Sequence, residues 1–201
     1  VRISITLDTI SPELQRLIGA SLRPRALYAA GAKSVQVQIS EHLRALQARG
    51  NVKGWPAQKF FAGKATSVEK TVGISSLTDT GAVITIADPR FVHRIQGGPV
   101  NAKRGKYLAI PLTAEAYAAS GKGSLRESMP GLVVIKFKRG LFLCRTVAGK
   151  GKVKGRVFPM FKLVRGVTHR AHPDEMPDPD KLAAGAQEAM FKAARSLFKA
   201  H

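Results

Sequence analysis

The chain has 201 residues, a single cysteine, and 33 lysines and arginines against 13 acidic residues, a formal charge of +20. One cysteine excludes an internal disulfide framework and fits a reducing cytosol, and no apolar run reaches the roughly 18 residues that a membrane span requires. A chain of this length buries about two thirds of its unfolded surface, so it needs neither disulfide nor metal to fold.

The opening Val1-Arg2-Ile3-Ser4-Ile5 alternates at period two, which predicts a strand over residues 2–7 and no signal peptide. Ser11-Pro12-Glu13 then starts a helix: serine caps, proline at the first helical position loses no needed N–H, and glutamate meets the positive end of the dipole. That helix carries Leu14, Leu17 and Ile18 on one face and breaks near Pro24. A longer helix follows over residues 25–48, with Tyr28, Ala32, Val35, Ile39, Leu43 and Leu46 at steps of three and four. Residues 34–39 also alternate at period two, and the longer periodicity decides for helix.

Residues 50–66 read as an ordered loop, with Trp55-Pro56 and Phe60-Phe61 anchoring it over the helix edge. Residues 69–76 and 81–86 make a hairpin across Leu77-Thr78-Asp79-Thr80, with β-branched residues on both arms. Residues 91–95 lead into a Gly97-Gly98-Pro99 turn, and residues 107–112 return as a strand. Thr113-Ala114-Glu115-Ala116 opens a brief helical turn that dissolves into Ser120-Gly121-Lys122-Gly123-Ser124, a flexible loop. Val133, Ile135 and Phe137 alternate against Val134, Lys136 and Lys138, the pattern of a half-buried strand, which Arg139-Gly140 turns into residues 141–147. A basic tip at residues 149–155 precedes a strand over 157–167. Asp178-Pro179-Asp180 starts the last helix, with Ala183, Ala186, Met190, Ala194 and Leu197 as its buried stripe and Phe191 and Phe198 beside it. No internal repeat and no second domain is evident. The sum is a single α+β domain over residues 1–201. An antiparallel sheet packs against an N-terminal helical pair and a C-terminal helix, and 96–106 and 149–156 project as basic hairpin loops.

Catalytic chemistry finds no foothold. Gly63-Lys64 and Gly121-Lys122 lack the upstream glycine and the Ser/Thr of a phosphate-binding loop. His169 and His172 stand three apart, but Pro173 follows at once, and one cysteine cannot complete a closed zinc site. His42 and His93 read as packing residues, and Cys144, in an apolar run, as a buried structural thiol. A nuclease needs clustered carboxylates to hold magnesium. In the only dense acidic patch, Asp174-Glu175 with Asp178 and Asp180, Asp178 reads as the N-cap of the last helix and Asp180 sits where the dipole favours a negative charge. The expectation is a protein that is not an enzyme, with no catalytic residues, no cofactor and no metal.

The charge is unevenly spread. From Arg126 to Arg170 there are twelve basic residues against one acidic, Glu127, whereas residues 171–201 are nearly neutral. Such a field meets a polyanion or an acidic protein surface, or else only keeps the protein soluble. Lys150, Lys152, Lys154 and Arg156, spaced by glycine and free of aromatics, suit phosphate backbones or carboxylate-rich surfaces without sequence readout. Read alone, the same cluster is equally a solvated loop.

The second basic loop is Gln96-Gly97-Gly98 through Lys103-Arg104-Gly105-Lys106 into Tyr107-Leu108-Ala109-Ile110-Pro111-Leu112, answered by Phe158-Pro159-Met160-Phe161-Lys162-Leu163-Val164. With the N-terminal helix, the Trp55-Pro56 loop and the C-terminal helix, this order of features resembles the bacteriophage tail completion and virion morphogenesis proteins of the head–tail junction. Members of that family are usually shorter, and many close on an Arg-Pro-Phe element where Phe158-Pro159-Met160-Phe161 stands here. The resemblance implies a virion protein of the tail or neck, made in the host cytoplasm and not bound to membrane. It implies a homo-oligomeric ring touching other neck or tail proteins, with double-stranded DNA passing through its lumen. Lys103, Arg104, Lys106, Lys150, Lys152, Lys154 and Arg156 are then the residues expected to touch DNA or an acidic partner. The alternative is a basic protein that binds nucleic acid without sequence preference.

Overall fold

A computed structural model describes residues 2–6, 24–50, 53–55, 59–102, 105–120, 124–147 and 155–199, with 2–6, 198 and 199 as backbone only. The helix expected from Ser11 lies outside the described residues, as does most of the basic tip. The fold is α+β, and every strand pair among the described residues is antiparallel. The chain divides into two compact units, residues 1–49, 59–96 and 171–201 in the first and 50–58 and 97–170 in the second.

The first unit holds a three-stranded sheet and two long helices. Its strands are β1 (Arg2–Thr6), β2 (Val72–Leu77) and β3 (Gly81–Ile86), in the order β1-β3-β2. Alternation in β3 turns Ala82, Ile84 and Ile86 inward, and Ile84 pairs with both Ile3 and Ile74. Helix α1 (Pro24–Ala48) begins on proline, which suits a first helical position. Its buried side is Leu27, Tyr28, Gly31, Ala32, Val35, Ile39, Leu43 and Leu46, so every residue of the expected stripe is in the core. Each large aliphatic there contributes about 1.5–3 kcal/mol by leaving water. Gln36 ties the helix to the sheet by donating from Nε2 to the Val72 carbonyl (3.0 Å).

The final helix of this unit runs from Pro179 to Lys199 and starts as its sequence says, with the Asp180 N–H donating to Asp178 Oδ1 (3.0 Å). Its buried stripe is Leu182, Ala186, Met190 and Ala194. Leu182 takes the place expected for Ala183, because four-residue steps back from Met190 land on 186 and then 182. This helix crosses α1 closely: a Cβ on Gly31 would sit 2.9 Å from Met190 Cγ, and Ser34 Oγ donates to the Gly185 carbonyl (2.9 Å).

One reading of this unit needs correction, and one stretch gains an assignment. Residues 69–71 belong to a 3-10 helix (Val68–Thr71), so the hairpin arm begins at Val72. Residues 91–95 lie in helix α2 (Pro89–Gln96). Asp88 is 3 % exposed and accepts at Oδ1 from the Arg90 N–H (2.8 Å), which caps the helix ahead of a proline at its first position.

The second unit is built on a four-stranded sheet, β5 (Leu108–Pro111), β6 (Leu132–Phe137), β7 (Gly140–Val147) and β8 (Arg156–Val164), ordered β5-β8-β7-β6. A ribbon of β4 (Gly98–Asn101) and β9 (Gly166–His169) accompanies it. Gly140, at φ 124°, closes the two-residue turn Lys138-Arg139 between β6 and β7. Strand β8 is central yet contains Pro159, which cannot donate to a ladder. The register shifts at that point, Leu143 facing Phe161 and Cys144 facing Pro159, so Met160 is the extra residue of a bulge. Two short helices, α3 (Ala114–Ser120) and α4 (Leu125–Ser128), supply Ala116, Ala119 and Leu125 to a small core with Met129, Met160 and Phe161.

Candidate interaction surface

The sheet of the second unit carries the exposed charge and the exposed apolar surface together. Of the seven basic residues expected to make contact, Lys106 and Arg156 are described, and both are exposed. Lys103, Arg104, Lys150, Lys152 and Lys154 lie outside the described residues. The structure does not bring Lys106 and Arg156 together. Leu108 pairs with Val164 at one end of β8, while Arg156 starts that strand at the other end. Eight strand residues separate those ends by about 27 Å.

Strand β6 departs from the expected half-buried alternation. Val133 and Phe137 are each 41 % exposed and Val134 is 61 % exposed. The strand lies at the edge of the sheet, so neither of its faces is flanked by a neighbour on the outer side. Phe137 packs edge-on against Phe142 of the neighbouring strand, with ring centroids 5.4 Å apart. Val147, Val157 and Phe158 add further exposed apolar surface at the paired ends of β7 and β8.

Between β6 and α4 lies a groove of about 430 Å³, lined by Leu125, Met129, Pro130, Leu132, Val134 and Leu143, with Arg126 at its rim. The register explains the lining: Leu132 pairs with Arg145 and Val134 with Leu143, so these side chains share one face of the sheet. Arg126 of that lining is exposed, as are Lys136 on β6 and Lys138 and Arg139 in the turn that follows it. The sequence puts Lys138 in the strand and the turn at Arg139-Gly140, whereas the strand ends at Phe137 and Lys138-Arg139 form the turn. The two-residue turn after an apolar strand was the signal for a cation pair standing at the sheet edge.

Not every cation here is available. Arg145 donates to Glu115 from Nη1 (3.0 Å) and Nη2 (2.5 Å), joining β7 to the first turn of α3. That hydrogen-bonded carboxylate raises the Arg145 pKa.

The residues weighed for chemistry take structural places. Cys144 is fully buried, and that burial raises its thiol pKa. His169 ends β9, and His172 precedes the 3-10 turn Pro173–Glu175, so their spacing is not a helical one. His42 Nε2 lies 3.0 Å from the Glu175 carbonyl oxygen. Of the residues expected to anchor the loop over the helix edge, Trp55 packs on Tyr117 of α3 (centroids 5.3 Å), with Lys53 Nζ 4.5 Å over its ring. Phe61 keeps that role, its N–H donating to Gln47 Oε1 of α1 (3.0 Å). Among the described residues no three His, Cys, Asp or Glu side chains group to hold a metal, and no helix is long and apolar enough to cross a membrane.

Compared with protein-family models, characterised proteins and solved structures, the chain matches none.

Proposed function

We propose that this chain is a non-enzymatic virion structural protein that assembles into a homo-oligomeric ring at a phage tail or head–tail neck. The observation that carries the reading is the exposed apolar side chains of Val147, Val157 and Phe158 at the base of a basic hairpin. Val147 and Phe158 share one face of the strand pair and Val157 stands on the other, and exposed apolar side chains on both faces are what a contact between protein neighbours uses. The ends of β7 and β8 supply the neighbour contact, and the lysines of residues 149–155 meet DNA in the lumen or an acidic neighbour.

Deleting residues 149–155 and joining the hairpin with a short turn tests this directly. The expected result is an unchanged circular dichroism spectrum with loss of ring assembly and infectivity. Normal particle yield and infectivity would contradict it.

A second reading, a basic protein binding nucleic acid without sequence preference, is favoured by the +20 charge alone. It predicts tight binding to bare duplex that falls steeply with salt, as released counterions require. The ring reading predicts weak duplex binding by the unassembled chain.

A further inference from the structure

The two edges of the four-stranded sheet differ in what they can accept. At β5, the Leu112 N–H donates inward to the Met160 carbonyl (2.8 Å). Since N–H groups alternate sides along a strand, the nitrogen of Pro111 faces outward, where it has no hydrogen to give. That edge is closed to another strand, by a common protective device.

The β6 edge has no such protection. Leu132–Phe137 contains no proline, pairs only with β7 among the described residues, and presents its alternate N–H and C=O groups outward. The apolar groove lies directly beside this edge, on the face shared by Leu132, Val134 and Leu143. An open edge next to a side-chain groove is the arrangement by which sheets capture an extended peptide. Main-chain hydrogen bonds hold the peptide, and pockets for alternate side chains select it.

We infer that the β6 edge and its groove bind an extended segment of another protein whose groove-facing side chains alternate apolar and acidic. The segment adds as a fifth strand, its apolar side chains entering the groove between β6 and α4. Carboxylates on that same side meet Arg126 of the groove lining and Lys136, two residues along β6 from Val134, with Lys138 and Arg139 in the turn beyond. Charge decides the occupant. Among the described residues of α4, β6 and the following turn, the exposed acidic side chain is Glu127 alone, against those four cations. A second copy of this chain would bring the same positive edge, whereas an acidic segment neutralises it. The inference goes beyond the ring reading and does not depend on it.

The test is fluorescence anisotropy of the full chain with a labelled ten-residue peptide of leucine and glutamate in alternating pairs, so that each face of the extended strand carries both. Three control peptides replace glutamate by lysine, replace leucine by alanine, or carry N-methyl groups on alternate backbone nitrogens. The expected result is binding of the first peptide and at least about tenfold weaker binding of all three controls. Combined Lys136→Glu, Lys138→Glu and Arg139→Glu substitutions, which lie on exposed positions and leave the fold intact by circular dichroism, should reverse the preference toward the leucine–lysine peptide. Equal binding of the acidic and basic peptides, or no binding of either to folded protein, overturns the proposal. So does displacement of the peptide by an equimolar short DNA duplex, which would assign the surface to nucleic acid. Concentration-dependent dimerisation abolished by the same charge reversals would assign it to a second copy.

Discussion

Arg94 holds Glu175 through two nitrogens, Nε to Oε2 at 2.5 Å and Nη2 to Oε1 at 2.6 Å, fastening α2 to the 3-10 turn ahead of the last helix. The Glu175 side chain is 11 % exposed. Around it the His172 N–H donates to the Arg94 carbonyl (3.1 Å), and the Arg94 guanidinium lies 5.3 Å from the Phe61 ring centre. One arginine thus joins three segments distant in sequence within the first unit.

Removing that arginine strands a largely buried carboxylate. Arg94→Ala should lower the unfolding free energy by about 2–3 kcal/mol, since an unpaired buried charge costs more than the pair gains. Arg94→Ala combined with Glu175→Gln should cost less than Arg94→Ala alone. Urea unfolding of the three variants measures both quantities.

Asp88 sets an acid limit on the same unit. Its hydrogen bonds from Arg90 hold its carboxyl below the ordinary value of 3.8, and burial opposes them. A native value lower than the unfolded one means that the unfolded chain binds more protons in that range. The stabilisation is therefore present above about pH 4 and is lost as pH falls through the native value. Asp88→Asn should be less stable at pH 7 by about 1 kcal/mol, a modest figure because Arg90 is largely exposed. Between about pH 4 and pH 2 its stability should fall less steeply than that of the wild type. Thermal melts across that range give the comparison.

The crossing of α1 and the last helix depends on absent side chains. A valine at Gly31 meets Met190, whose Cγ already stands 2.9 Å from the position of a Cβ. Gly31→Val should destabilise by about 2 kcal/mol through overpacking, despite removing a glycine from a helix interior. Gly31→Val with Met190→Ala should recover part of that loss, as denaturant midpoints would record.

Cys144 supplies a probe of opening in the second unit. A fully buried thiol with a raised pKa reacts only when the surrounding structure opens. Modification by a disulfide reagent at mildly alkaline pH should be slow in native buffer and complete at once in concentrated urea. Equal rates in the two conditions would contradict the buried setting.

The sequence carried the long helices well, because the α1 stripe from Tyr28 to Leu46 and the Asp178 cap are local signals that packing only reinforces. It left Phe91–Ile95 without an assigned element. The Asp88-Pro89 pair has the same logic as Asp178-Pro179 but opens only two turns, too short for periodicity to assert itself. Strand β6 was placed correctly but its burial was not, since alternation cannot say whether a strand lies at an edge. The groove beside β6 was invisible for a related reason: it needs α4, β6 and β7 together, and only the register puts Val134 next to Leu143. Lys106 and Arg156 looked alike in sequence, yet they lie at opposite ends of β8.

The most direct test of the ring is the mass of the purified chain by multi-angle light scattering, at low and at high salt, with the same samples imaged by negative stain. The account predicts a discrete high-order mass and closed rings that persist when salt screens the +20 charge. A monomer of 21.6 kDa at every salt and concentration, with no rings on the grid, would contradict it.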